Sequence, residues 1–71
     1  MRLVVNGEDF QYTPASPASE SSVRHLLEHL QLAGRPVAVE RNGQIVPHAT
    51  FDQTSIVEGD VLEIVTLVGG G

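Results

Sequence analysis

The chain has 71 residues, enough for one small domain and too few for a catalytic cleft between two. Nine acids stand against four bases, a formal charge of −5, which disfavours nucleic acid and anionic membranes as partners. Hydrophobic residues make up 41% of it, as in globular domains, and the absence of cysteine excludes disulfides, a thiolate nucleophile and cysteine-based metal sites.

All four bases are arginine (Arg2, Arg24, Arg35 and Arg41). With no lysine, no side-chain amine can accept a carboxyl group in isopeptide linkage. No apolar stretch is long enough for a signal peptide core or a membrane span, so the expected setting is soluble and cytoplasmic.

Residues 3–5 form a β-type run, and Asn6-Gly7 supplies a turn signal that tolerates positive φ. Residues 10–12 alternate like a returning strand, so the chain opens on a hairpin. Residues 13–22 are rich in Pro, Ala and Ser; Pro14 and Pro17 make this stretch a connecting loop. Ser22 is a good N-cap, and Val23, Leu26, Leu27 and Leu30 form one apolar helical stripe. The spacing predicts a helix from 23 to about 32, with Gly34 as its C′ residue and Pro36 blocking continuation.

Residues 37–41 alternate again, Asn42-Gly43 is a second turn signal, and a short strand over 44–46 stops at Pro47. Phe51 and Ile56 are expected core anchors within an irregular segment. Residues 58–60 read as a turn, and 61–68 as the last and longest strand. The order β-β-α-β-β-β predicts an α+β domain: a β-grasp, or ubiquitin-like, mixed sheet of four to five strands packed on one helix. In that fold the first and last strands lie side by side in parallel. The expected division is a β-grasp domain over 1–68 and a flexible glycine tail over 69–71.

Alternation in the last strand sets Leu62, Ile64 and Thr66 against Glu63, Val65 and Leu67. Glu63 is a poor core residue, so its set is expected to face outward. Leu3 and Val5 then face in and Val4 out. Val4, Val65 and Leu67, rimmed by Glu63, form a candidate docking patch. The run Gly69-Gly70-Gly71 carries no Cβ and is expected to be thin enough to thread a partner's narrow channel, with the carboxylate of Gly71 as its reactive end.

Other signals are weaker. His25, Glu28 and His29 match the H-x-x-E-H pattern of a zinc peptidase class. The helix is short, both histidines are expected opposite the apolar stripe on the solvent side, and there is no room for a substrate cleft. No metal site and no catalytic residue are therefore expected, with chance metal capture by the two histidines left open. His48 lacks a nucleophile to serve. Asp52, Glu58 and Asp60 lack calcium-loop spacing and read as solvated turn acids.

The sequence resembles the ThiS family of sulfur-carrier proteins of thiamine thiazole synthesis. The resemblance rests on Val4-Val5-Asn6-Gly7-Glu8, Val23-Arg24-His25-Leu26-Leu27, residues 37–47, residues 58–65 and the terminal glycines, so it covers nearly the whole chain. Residues 13–22 are longer and richer in Pro and Ser than the family pattern, and Gly69 adds a third glycine. The resemblance implies a carrier co-substrate rather than an enzyme, a monomer when free, with no cofactor bound. A ThiF-type adenylating enzyme would use ATP and Mg to adenylate Gly71. Sulfur from a cysteine desulfurase or another donor would convert it to a thiocarboxylate, and the thiazole synthase ThiG would take that sulfur. The alternatives are a MoaD-like carrier subunit of molybdopterin synthase, a ubiquitin-like protein modifier, and a β-grasp binding module with a passive tail.

Overall fold

The structure, a computed structural model, describes residues 1–14 and 21–67. The tail over 69–71, Val68 and most of the Pro/Ser-rich loop lie outside the described residues.

Strands β1 (Arg2–Val5) and β2 (Glu8–Gln11) form the first hairpin, and β3 (Val37–Arg41) and β4 (Gln44–Ile45) the second. Asn6 and Gly7 sit at φ 52° and 82°, Asn42 and Gly43 at 53° and 84°. Positive φ at both central residues is what a type I′ turn requires, and that turn matches the right-handed twist of paired strands. Each Asn-Gly signal therefore sets a hairpin register.

The last strand, β5 (Val61–Thr66), lies at the centre of a five-stranded sheet of order β2-β1-β5-β3-β4. It runs parallel to β1, with Val4 beside Val61 and Val5 beside Leu62. It runs antiparallel to β3, from Arg41 beside Leu62 to Val37 beside Thr66. One helix, α1 (Val23–His29), supplies Val23, Leu26 and Leu27 to the core on the inner face. This is the expected β-grasp arrangement.

Asn6 does more than turn the chain. Its amide nitrogen donates to the Ile64 carbonyl at 3.1 Å, and its side-chain oxygen accepts from the Ile64 N–H at 2.7 Å. The side chain stands in for the backbone of β1 after that strand has turned away, so β5 stays paired on this edge one step further.

Ser22 caps α1, its hydroxyl oxygen accepting from the His25 N–H at 3.2 Å. The helix ends earlier than its periodicity suggests. Leu30 is the C-cap, and Gln31 rather than Gly34 takes the left-handed position, at φ 62°. The Leu32 N–H donates to the Leu27 carbonyl at 2.8 Å and the Gln31 N–H to that of Glu28 at 3.0 Å. These two bonds close a Schellman motif. Gly34, at φ 82°, serves the following turn instead.

Leu3, Leu26, Ile56 and Leu62 are fully buried, and Phe51 joins them as expected. Thr66 departs from its expected inward set: it is exposed, because β5 outruns the core by its last residue. The clearest correction is Asp60. It is not a solvated turn acid but is buried at 4% exposure. One carboxylate oxygen accepts from Arg41 Nε at 2.7 Å and the Val57 N–H at 2.9 Å. The other accepts from Arg41 Nη2 at 3.3 Å and Asn42 Nδ2 at 3.0 Å. Its backbone carbonyl accepts from the Val4 N–H at 3.0 Å.

Burial alone pushes the Asp60 carboxyl up. The Arg41 guanidinium, the Val57 N–H and the Asn42 amide outweigh that and hold it below the ordinary value of 3.8. A carboxylate more acidic when folded contributes stability that is complete above the unfolded value and is lost as pH falls through the folded one. Thermal melts should therefore show stability falling as pH drops below about 4. Asp60→Asn should cost about 2 kcal/mol at neutral pH and flatten that acid limb; an unchanged limb would count against the clamp. Gln31→Gly should add about 0.5–1 kcal/mol in denaturant titration by removing left-handed strain, and a loss of stability would mean the Gln31 side chain contributes something else.

Candidate functional site: the outer sheet face and the end of the central strand

The side-chain alternation of β5 buries Leu62 and Ile64 against α1 and turns Val61, Glu63 and Val65 to the opposite face. Leu67 continues that outward row. Its N–H donates to the Pro36 carbonyl at 2.8 Å, one step beyond the Val37–Thr66 pair. The central strand is thus held to the sheet up to the residue before Val68-Gly69-Gly70-Gly71, which lie outside the described residues.

Val65 and Leu67 are 55% and 50% exposed, large values for apolar side chains on and just beyond the central strand. Ala38 on β3 lies directly beside Val65 and is exposed too. Val4 is half-buried and sits beside Val61, toward the other end of β5. The four expected patch residues share one face but do not form one cluster. Val65, Leu67 and Ala38 make one apolar area, and Val4 with Val61 makes another. Glu63 stands between them rather than at their rim.

Pairing reveals what the one-dimensional pattern hid. Glu63 lies directly beside Glu40 of β3, and Glu40 lies beside the exposed Ile45 of β4. Among the described residues no cation pairs with either acid. Two carboxylates side by side on a sheet repel, and among the described residues nothing offsets it. Val61 was accessible to sequence reasoning, since it shares the parity of Glu63. Ala38, Glu40 and Ile45 were not, because their place on this face depends on the β3–β5 register.

Of the helix histidines, His29 is exposed as expected, while His25 departs from the expectation. His25 is half-buried, with Nδ1 2.7 Å from the Ser22 hydroxyl. The His29 ring meets Tyr12 and Phe10 edge-on, with centroids 5.2 and 6.0 Å apart. Among the described residues no three His, Asp or Glu side chains gather into a metal-holding group. His48 tilts over Phe51 at 4.7 Å, and Asp52 pairs with Arg24.

If the Glu40–Glu63 pair is strained, removing either charge should stabilise the free protein. Glu63→Gln should gain about 0.2–1 kcal/mol at low ionic strength. In a double-mutant cycle the second substitution, Glu40→Gln, should add less than it does alone. Strict additivity would mean that the two carboxylates do not feel each other.

The geometry can be set beside known proteins. The chain is 42% identical over 71 residues to a thiazole synthase of Paramagnetospirillum magneticum, matching 100% of this chain and only 20% of that protein. It thus spans about a fifth of that relative's length. It is 33% identical over 69 residues to the sulfur carrier protein ThiS of Bacillus subtilis, covering 97% of this chain and 98% of that one. The crystal structure of the thiamine biosynthesis protein ThiS from Geobacter metallireducens superposes with a TM-score of 0.79 at 35% identity, covering 100% of both chains. The ThiS family model matches residues 3–71. The fold, the parallel first and last strands and this chain-wide match agree: the chain belongs to the ThiS family.

Proposed function

We propose that this chain is a sulfur carrier for thiamine thiazole biosynthesis, a co-substrate whose chemistry takes place on Gly71. The observation that carries the reading is the central strand. β5 is paired on both edges, and its ladder continues to Leu67, so the residues that follow start from a fixed point at the end of the sheet. A glycine run starting there presents no Cβ to obstruct a narrow channel.

The chemistry needs activation from outside. A carboxylate is a poor electrophile, because its charge and resonance resist nucleophilic attack. In the proposed route a ThiF-type enzyme uses MgATP; a Gly71 carboxylate oxygen attacks the α-phosphorus and pyrophosphate leaves. Gly71 then carries an acyl-adenylate with AMP as a good leaving group. Sulfide attacks the carbonyl carbon, displaces AMP and gives the thiocarboxylate directly. The persulfide of a cysteine desulfurase instead displaces AMP to form an acyl disulfide. A thiol then cleaves it, leaving sulfur on the carbonyl carbon and carrying the other sulfur away in a disulfide. The product is a terminal thiocarboxylate, which supplies sulfur to a ThiG-type thiazole synthase. The chain itself holds the substrate end and offers a recognition face. With no cysteine it has no competing thiol, and with no lysine no side-chain amine on which an activated terminus could acylate the chain itself.

The Paramagnetospirillum relative favours thiazole over molybdopterin chemistry, since there a stretch like this chain belongs to a protein named thiazole synthase. One polypeptide holding both is readily understood if the two act on successive steps. The outer face of β5, with Val65 and Leu67, is the proposed docking surface for the activating enzyme.

Intact-mass spectrometry after incubation with the cognate adenylating enzyme, MgATP and sulfide should show one oxygen replaced by sulfur. Fragmentation should place the change at Gly71. Deleting Gly70-Gly71 should abolish it, while Val65→Asp should raise KM for the carrier roughly tenfold or more with a smaller effect on kcat. An unchanged mass with an enzyme shown to be active on another carrier would sink the assignment.

A further inference from the structure

Behind the end of β5, on the helix side of the sheet, lies a half-open pocket of about 340 Å³. Its floor is apolar, made by Leu27, Leu32, Val37 and Phe51. Its edge carries Arg24, Arg35 and His48. Three of the chain's basic side chains thus gather at one opening on a molecule of net charge −5. Arg24 is already neutralised by Asp52. Arg35 is exposed, and among the described residues no carboxylate pairs with it.

The position matters as much as the lining. Pro36 and Val37 line the pocket, and these two residues hold the last described steps of the central strand, through the Leu67–Pro36 hydrogen bond and the Thr66–Val37 pair. The pocket and the Val65–Leu67 area therefore lie on opposite sides of one sheet end. A protein that grips the chain beyond Leu67 has both within reach.

Specific small-molecule sites bring buried polar groups to converge on the ligand. Here the polar groups sit exposed at the edge around an apolar floor, the anatomy of a protein interface. We propose that the pocket is a second docking point for the adenylating enzyme. It would receive an apolar side chain of that enzyme on the Leu27–Phe51 floor and an adjacent carboxylate on Arg35. The enzyme would then hold the sheet end from both faces, which fixes the direction in which the glycine run leaves. This rests on the carrier reading above, and it adds a recognition element of opposite charge to the acidic outer face.

The test uses the full chain, isotopically labelled, titrated with the cognate adenylating enzyme while amide signals are followed. Signals of Leu32, Ala33, Gly34, Arg35 and His48 should lose intensity together with those of Val65 and Leu67. Arg35→Glu should raise Kd roughly tenfold, with the wild-type fold retained in its spectrum, and Arg35→Lys should bind within about threefold of wild type. The Arg35→Glu penalty should shrink at high salt. A response confined to the outer face, with Arg35→Glu binding as wild type, overturns this proposal and leaves the carrier reading standing. Failure to form any complex with an enzyme active on another carrier overturns both.

Discussion

The buried carboxylate of Asp60 is the fixed point of this small sheet. It joins the start of β5 to the β3–β4 turn through Arg41 and Asn42, to the preceding loop through the Val57 N–H, and to β1 through its backbone carbonyl and Val4. Those bonds meet where the parallel and antiparallel pairings of β5 begin. A strand shifted by one residue exchanges its two faces. For β5 that exchange would bury Glu63 and Val65 and expose Leu62 and Ile64, so the clamp protects the core and defines the outer face in one act. Asn6 supplies a second hold from the β1 side, bonding both backbone groups of Ile64. With β5 fixed near its start and its middle, the position of Leu67 at the far end follows.

The sheet treats its edges and its face in opposite ways. β4 is two residues long, and β2 carries Glu8 and Asp9, both exposed. Short and charged edge strands discourage pairing with another chain. The outer face keeps exposed valines on the central strand and an acid pair with no counter-charge among the described residues. A free monomer gains nothing from either feature. The apolar area gains by being covered and the acid pair by meeting a cation, so both favour association through the face over addition at an edge.

Much of this was legible in the sequence because it depends on local chemistry. The Asn-Gly turns declare two hairpins, since few residue pairs tolerate positive φ twice in succession. The Val23–Leu26–Leu27 stripe declares the helix, and Glu63 declares the outward parity of β5. What escaped depends on partners distant in the chain. Asp60 reads as a surface turn acid until the fold brings Arg41 to it, 19 residues away. The Glu40–Glu63 juxtaposition exists only once the β3–β5 register is known. Gln31 replaced Gly34 at the helix end because tertiary packing of Leu32 and the next turn can impose a left-handed residue that propensity would not choose. The basic pocket was invisible for the same reason: Arg24, Arg35 and His48 come from three different segments.

The same separation of scales explains the division of labour across the molecule. The clamp of Asp60 lies at the start of β5, and the glycine run follows its end. On the proposed carrier reading, stability is concentrated at one end of the strand and presentation at the other. A domain this small has little stability to spare. Val65 and Leu67 lie toward the opposite end of β5 from the buried Asp60 network, so substitutions there leave the bonds that secure the register intact.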